Sequence, residues 1–262
     1  MAFSVNSNLG AEQVYAALAK SQTATQKAQL SLASGKKVSS AADNTSGWNV
    51  GKKLEAASST MKSQLANIGS AKNFLSTAES ALQQVYDKLN DIQSKQADSS
   101  DPLKDATSLQ SDVKTLSDEI SSILSNTKIN GVDLLASAAA TFGAGSSNVS
   151  INIGAKVGDN SAALTALSAG NAGSLTQSIT TFQSNIRTAI TYIGNQDQVL
   201  DSRSEFLTSA IANNDAAVSQ IFDTDTLDSQ ITASKGQIGS QLATSMMSQM
   251  NAAPQQLLQL FR

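Results

Sequence analysis

Two long stretches with a seven-residue hydrophobic repeat constrain this chain more than any other feature of its sequence. In the first, Gly51–Ser99, apolar residues follow one another mostly at alternating steps of three and four. In the second, Ser174–Phe222, isoleucine or leucine recurs at every seventh position and is interrupted only at Asn214. Such repeats are typical of helices that pack side by side as in coiled coils. About 45 residues in each stretch would form a helix of roughly 70 Å.

The rest of the chain fits a mainly helical fold. Proline, which disrupts helices, occupies only two of the 262 positions. Pro102 is predicted to end the first long helix and to open a shorter one. Asn130-Gly131 is typical of a hairpin turn, and Val149–Ile153 alternates apolar and polar residues as a strand does. We therefore predict a mainly α fold, an elongated hairpin of long coiled-coil-like helices with a small β-hairpin region.

The C-terminal end carries an apolar pattern that nothing within it can cover. No charged side chain lies between Lys235 and Arg262. Apolar residues recur there at steps of four among Ser and Gln: Ile238, Leu242, Met246 and Met250. An uncharged apolar face at a chain end needs a partner, because on its own it would favour aggregation. We expect Pro254 to break this helix and to open a last short turn, since proline removes a backbone hydrogen bond.

The N-terminal segment, Met1–Val38, has a loose apolar stripe of similar length, and Gly35 is expected to end it as a left-handed cap. The simplest arrangement pairs the two terminal helices. The C-terminal stripe would then face either Leu18 and its neighbours or other copies of the chain. The residues predicted for this assembly surface are Leu9, Val14, Leu18, Ile231, Ile238, Leu242, Met246, Met250, Leu257, Leu258 and Leu260.

Composition argues against several classes of function. The chain has neither His nor Cys, which removes the commonest general base, the thiolate metal ligands and any disulfide. A formal net charge of −3 gives no electrostatic reason to bind nucleic acid. No stretch is apolar enough for a membrane span, and the first residues do not form a secretory signal peptide.

One segment, Asp223–Asp228, begins like a calcium-binding loop. The sixth position of such a loop should be Gly and the twelfth Glu, but here they are Asp228 and Ser234. A connector that caps the next helix is therefore the preferred interpretation. No catalytic residue, cofactor site or metal site is predicted.

Several motifs resemble those of bacterial flagellin over almost the whole chain. Leu30–Asn44 is similar to the family's N-terminal RLSSGxRIxSAxDD segment, Thr77–Leu82 to its TAEGAL motif and Ile129–Val132 to its FNG turn. Gln241–Arg262 follows the family's C-terminal pattern, QAxxSMLAQANQxPQxVLxLLR, nearly position by position. Matching motifs at both ends, in the same order, make this resemblance specific.

The resemblance implies a structural subunit that polymerises into the flagellar filament used for swimming. It implies that residues 1–44 and 221–262 form the inner, filament-core domain and that residues 45–220 form the rod domain, without the variable outer domains. The expected partners are copies of the chain, alone or with other flagellins, the cap and hook–filament junction proteins, and an export chaperone. The expected location is the extracellular filament, reached through type III export without a cleaved signal peptide.

Other interpretations stay open at this stage. A hook–filament junction protein has similar termini, although the match over Met246–Arg262 favours a filament subunit. A secreted coiled-coil effector or adhesin would not need such an uncharged terminus, and an enzyme is disfavoured by the composition.

The family stretch recognised by an innate immune receptor usually carries Arg and Leu where this chain has Asp91 and Lys95, which predicts weak recognition.

Overall fold

A computed structural model of the protein describes residues 9–135, 139–144, 148–158, 160–168 and 172–260. Helices dominate this described part and four short strands complete it. In chain order the elements are α1 (Leu9–Ser34), α2 (Thr45–Asp98), α3 (Ala106–Asn126), β1 (Lys128–Ile129), β2 (Val132–Asp133), β3 (Ala140–Phe142), β4 (Val149–Ile151), α4 (Gly154–Val157), α5 (Ser161–Ser168), α6 (Ala172–Phe222) and α7 (Thr226–Leu260).

The described residues fall into two compact units. One is formed by Ser58–Ala212, and the other combines the described parts of Met1–Ala57 and Asn213–Arg262. The second unit contains α1 and α7, which pack against each other. The mainly α fold, with paired terminal helices and a small β-hairpin region, is therefore confirmed.

The two long helices predicted from the heptad repeats are present and nearly equal in length, with 54 residues in α2 and 51 in α6. The first long helix begins at Thr45, before the heptad pattern starts at about Gly51. Its start is fixed by Asn44, whose side-chain Oδ1 accepts a hydrogen bond of 2.9 Å from the backbone N–H of Gly47. A side-chain acceptor at this position satisfies one of the N–H groups that a helix start leaves unpaired.

The core of the Ser58–Ala212 unit is built from the two heptad repeats. Most of the repeat side chains are fully or almost fully buried: Ile68, Leu75, Leu82, Val85, Leu89 and Ile92 on α2, and Ile179, Phe182, Ile186, Ile193, Leu200 and Leu207 on α6. Burying each such side chain contributes about 1.5–3 kcal/mol relative to leaving it exposed. The heptad pattern therefore marks the core of this unit, as predicted.

The small strands follow the turn and alternation signals of the sequence. Asn130 and Gly131, between β1 and β2, have φ angles of 50° and 79°, both in the left-handed region that a type I′ hairpin turn requires. In β4, which pairs antiparallel with β3, Val149 and Ile151 are buried and Ser150 is exposed. The predicted alternation is confirmed.

The first long helix ends at Asp98, close to the predicted Ser99, but the prediction that Pro102 opens the next helix is wrong. This proline lies in a turn after α2, in which the Asp101 carboxylate accepts a hydrogen bond from the backbone N–H of Leu103. The next helix, α3, begins only at Ala106, because Asp105 accepts hydrogen bonds from the N–H groups of Thr107 and Ser108. Two capping bonds from a carboxylate outweigh the preference of proline for a first helical position.

The predicted break at Pro254 is also wrong, because α7 continues through it to Leu260. A proline inside a helix removes one backbone hydrogen bond, and its ring clashes with the carbonyl four residues earlier. Those effects kink a helix without having to end it. The neighbours of Pro254 include Ala, Gln and Leu, which all favour helix.

Candidate assembly surface

The terminal helices α1 and α7 contact each other through small side chains. Their backbones approach so closely that a Cβ atom added to Gly236 would lie 1.7 Å from Oγ1 of Thr25 and 3.0 Å from its Cβ. Three residues further along α7, a Cβ on Gly239 would lie 3.7 Å from Oγ of Ser21, an ordinary contact. Only glycine fits opposite Thr25, so Gly236 sets how closely the two helices can approach.

These contacts also fix the register of the antiparallel pair. Thr25 lies beside Gly236, so continuing along both helices places Leu18 near Ala243 and Val14 near Met247. All four of these flanking side chains are half-buried. Val14 and Leu18 therefore belong to the face that α1 turns toward α7.

The large apolar side chains of α7 lie on the opposite side of the helix. We call this set the outer stripe: Leu227, Ile231, Ile238, Leu242 and Met246, all exposed. Ile238 and Leu242 are 66% and 61% exposed, whereas Ala233 on the inner face is 7% exposed. Leu18 and its neighbours on α1 therefore do not cover the outer stripe. Other copies of the chain are the remaining partner expected from the sequence. Because the two backbones approach closely at Gly236, only small residues of α7 fit in the contact with α1. The large apolar residues of α7 lie on the opposite face.

The four-residue spacing predicted that Met250 continues this stripe, but its side chain is half-buried. Each step of four residues advances about 40° around a helix. Three such steps carry the pattern from Ile238 on the outer stripe to Met250 on the inner face. The side chains of Leu9, Leu257, Leu258 and Leu260, also predicted for the assembly surface, lie outside the described residues.

A backbone clasp ties the segment after α1 to the segment before α7. Gly35, with φ 69°, ends α1 as predicted. Its carbonyl accepts a hydrogen bond of 2.9 Å from the N–H of Thr224, and the N–H of Lys37 donates one of 2.7 Å to the carbonyl of Phe222. These bonds hold the C-terminal end of α1 next to the N-terminal end of α7.

Aromatic packing completes the clasp. The rings of Trp48 and Phe222 meet edge to face with centroids 5.7 Å apart, and the ammonium group of Lys52 lies 5.0 Å from the Trp48 ring centroid. A Cβ atom on Gly51 would lie 2.4 Å from the Phe222 ring. Sequence reasoning missed Gly51 and Phe222, because nothing in the linear pattern shows that a ring occupies the space beside that glycine.

Two carboxylates stabilise the ends of these segments. Lys27 on α1 forms an ion pair of 3.0 Å with Asp43. The hydrogen bond from Lys27, with further bonds from Ser39 and Ser40, lowers the pKa of Asp43 to about 2. Asp225 accepts hydrogen bonds from the N–H groups of Leu227 and Asp228 and so caps α7, as the connector interpretation predicted.

Within the described part of the chain, no group of three or more acidic residues is arranged to hold a metal ion. In the same residues, no helix combines the length and apolar character that crossing a membrane requires.

The inner face of α7 does not follow from the apolar pattern of the sequence, because most of its residues are small. The signal was present as small residues at helical spacing on α7: Ser229, Ala233, Gly236, Ser240 and Ala243. Small residues at such steps allow two helix backbones to approach closely. Fold and surface together define a mainly α-helical, coiled-coil-type protein whose terminal helix pair turns large apolar side chains outward.

Comparison with known proteins identifies the family. The sequence profile of the bacterial flagellin N-terminal helical region matches residues 5–140, and that of the bacterial flagellin C-terminal helical region matches residues 176–261. The chain belongs to the bacterial flagellin family.

The region that aligns with this chain makes up a different share of each relative's length. A flagellin of Aquifex pyrophilus is 32% identical over 138 residues, which are 52% of this chain and 28% of the relative. Polar flagellin F of Vibrio parahaemolyticus is 28% identical over 138 residues, 37% of its length. A flagellin of Halalkalibacterium halodurans is 27% identical over 98% of this chain and 99% of its own. The chain thus spans well under half of the first two relatives and the full length of the third.

Proposed function

We propose that this chain is a structural subunit that polymerises into the extracellular bacterial flagellar filament and serves swimming motility, not catalysis. The observation that carries this proposal is the outer stripe of α7. Five large apolar side chains face outward on a helix whose inner face already packs on α1. A contiguous apolar surface of this kind is typical of an interface.

Other copies of the chain are the best-suited occupants of the outer stripe. The stripe lies in the terminal region that matches the flagellin C-terminal helical region. Close packing of α1 on α7 leaves no room for these side chains inside the pair, and in a filament a second copy would cover them. The full-length similarity to the Halalkalibacterium flagellin supports a filament subunit over a hook–filament junction protein.

Further parts of the proposal follow the resemblance to flagellin. We infer that residues 1–44 and 221–262 form the filament-core domain and residues 45–220 the rod domain. The partners would be further flagellin copies, the cap and hook–filament junction proteins, and an export chaperone. Export would use the type III apparatus without cleavage of a signal peptide. The predicted assembly residues Leu9, Leu257, Leu258 and Leu260 belong to this proposal.

The proposal is tested by Leu242→Asp. A carboxylate in the centre of the outer stripe would be desolvated without a partner wherever two copies meet, at a cost of at least about 2 kcal/mol per contact. Seeded polymerisation of the purified variant, followed by sedimentation and negative-stain microscopy, should then yield no filaments. The core of the Ser58–Ala212 unit does not contain Leu242, so the helical circular dichroism and thermal transition of that unit should not change.

A matched control is Gln241→Asp, which adds the same charge one residue away. Residue 241 is also exposed but lies about 100° around the helix from Leu242, on the flank of the outer stripe. This variant should polymerise far better than Leu242→Asp. Normal filaments from Leu242→Asp would refute the assembly role of the stripe.

A further inference from the structure

The oxidisable sulfur of this chain is concentrated at one place on α7. Three of the five methionines lie within Met246–Met250, and the chain has no cysteine. The side chain of Met246 is 45% exposed on the outer stripe, whereas Met247 and Met250 are half-buried. Met61, on α2, packs partly buried against the core of the Ser58–Ala212 unit. Among the described residues, Met246 therefore carries the most accessible sulfur.

The surroundings of Met246 make the polarity of its side chain matter. Leu242 lies one turn earlier on the same face of α7, and Ile238 one turn before that. No charged side chain occurs between Lys235 and Arg262, so the outer stripe is covered by apolar contact alone. A polar group introduced among these side chains would lose its contact with water when the stripe is covered, which is unfavourable.

Hydrogen peroxide makes this change in one step. The thioether sulfur attacks one oxygen of the peroxide, the O–O bond breaks, and the second oxygen leaves with both protons as water. The sulfur loses two electrons and the peroxide gains them. The product is a sulfoxide, which turns a flexible apolar side chain into a polar one and disrupts methionine-containing interfaces.

We propose that Met246 is an oxidation site that controls the outer stripe: its sulfoxide blocks polymerisation, and reduction of the sulfoxide restores it. The inference rests on the proposed polymerisation and adds a chemical control to the same surface. A free subunit exposes the thioether to peroxide. Once another copy covers the stripe, the same sulfur is shielded, so assembled filaments resist a dose that disables free subunits.

Two variants isolate the effect of this one sulfur. M247L/M250L keeps Met246 as the only methionine of α7, and M246L/M247L/M250L removes it as well. Leucine and methionine have similar volumes, so these changes are well tolerated in packed surfaces. Both variants keep Met1 and Met61, so oxidation elsewhere in the chain affects them equally.

Each variant is treated with hydrogen peroxide as dilute protein and then freed of peroxide. Peptide mass spectrometry measures the sulfoxide content at each methionine, and circular dichroism verifies the fold. The readout is the critical concentration of polymerisation from untreated seeds. Treatment of M247L/M250L should raise it about tenfold or more, because each subunit would bury a sulfoxide. The same treatment should change it less than about threefold in M246L/M247L/M250L.

Reduction and prior assembly supply two further measurements. Methionine sulfoxide reductases of both stereospecificities, with dithiothreitol, should return oxidised M247L/M250L to within about threefold of the untreated protein. In filaments of M247L/M250L assembled before treatment, Met246 should be oxidised about tenfold or more slowly than in dilute protein.

Four results would each overturn the inference: unchanged polymerisation of M247L/M250L with Met246 fully oxidised, an equal loss in M246L/M247L/M250L, no recovery after reduction, or equal oxidation rates in filaments and dilute protein. Failure of the untreated chain to polymerise at all would instead refute the proposed function.

Discussion

The close approach of α1 and α7 predicts opposite effects for two chemically identical substitutions. In Gly236→Ala the new methyl group would lie 1.7 Å from Oγ1 of Thr25 and 3.0 Å from its Cβ, so Thr25 must change its rotamer and the helices must shift slightly apart. Turning Oγ1 away relieves only part of this contact, because the Cβ of Thr25 stays 3.0 Å from the new methyl group and the hydrogen bond from Oγ1 to the carbonyl of Ser21 is lost. In Gly239→Ala the nearest atom is 3.7 Å away and nothing has to move.

The magnitudes decide the sign of each effect. Alanine favours a helix over glycine by about 0.5–1 kcal/mol, and this gain applies at both positions. Overpacking costs about 1–3 kcal/mol, and it applies only at Gly236. We expect Gly236→Ala to destabilise the helix pair by about 1–2 kcal/mol and Gly239→Ala to stabilise it by up to about 1 kcal/mol.

The critical concentration of seeded polymerisation measures both effects if the pair is part of the subunit interface. Gly236→Ala should raise it roughly five- to thirtyfold, and Gly239→Ala should lower it by a factor of up to about five. Thr25→Ala in the Gly236→Ala background removes Oγ1 and should recover part of the loss. A Gly236→Ala chain that polymerises as well as Gly239→Ala would refute the described packing.

Three further outcomes are expected. Because the pKa of Asp43 is lowered to about 2, its ion pair with Lys27 stabilises the fold above about pH 4. That contribution falls as the pH drops below about 4 and is lost below about 2, so the Tm of Asp43→Asn should lie below that of the unmodified chain at pH 6, and the gap should narrow steadily as the pH is lowered toward 2; a constant gap would contradict this. Monomer should signal weakly through the flagellin receptor, because Asp91 and Lys95 replace an Arg and a Leu; strong signalling in a cell reporter assay would show otherwise. In dilute monomer, the terminal helices should be trimmed by limited proteolysis to a core of about residues 45–220, since their pairing buries mainly small side chains; equal resistance throughout would exclude this.

The sequence alone predicted the two long helices and the residues that form their core, but not the short helices α4 and α5. The heptad positions of α2 and α6 are buried because a seven-residue repeat keeps one face of each helix toward its neighbour. Turn chemistry was equally local, as Asn130-Gly131 and Gly35 adopt the left-handed φ angles that their residue types allow. The family resemblance was readable from motifs at both ends of the chain.

Only the tertiary structure decided which faces of the terminal helices meet. Apolar periodicity identifies a stripe but does not say whether that stripe faces inward. Two helices can pack through their glycine and alanine faces instead, because small residues let the backbones approach more closely than leucine residues do. At Gly236 and Thr25 the close contact placed the small residues inside and left Ile238 and Leu242 exposed.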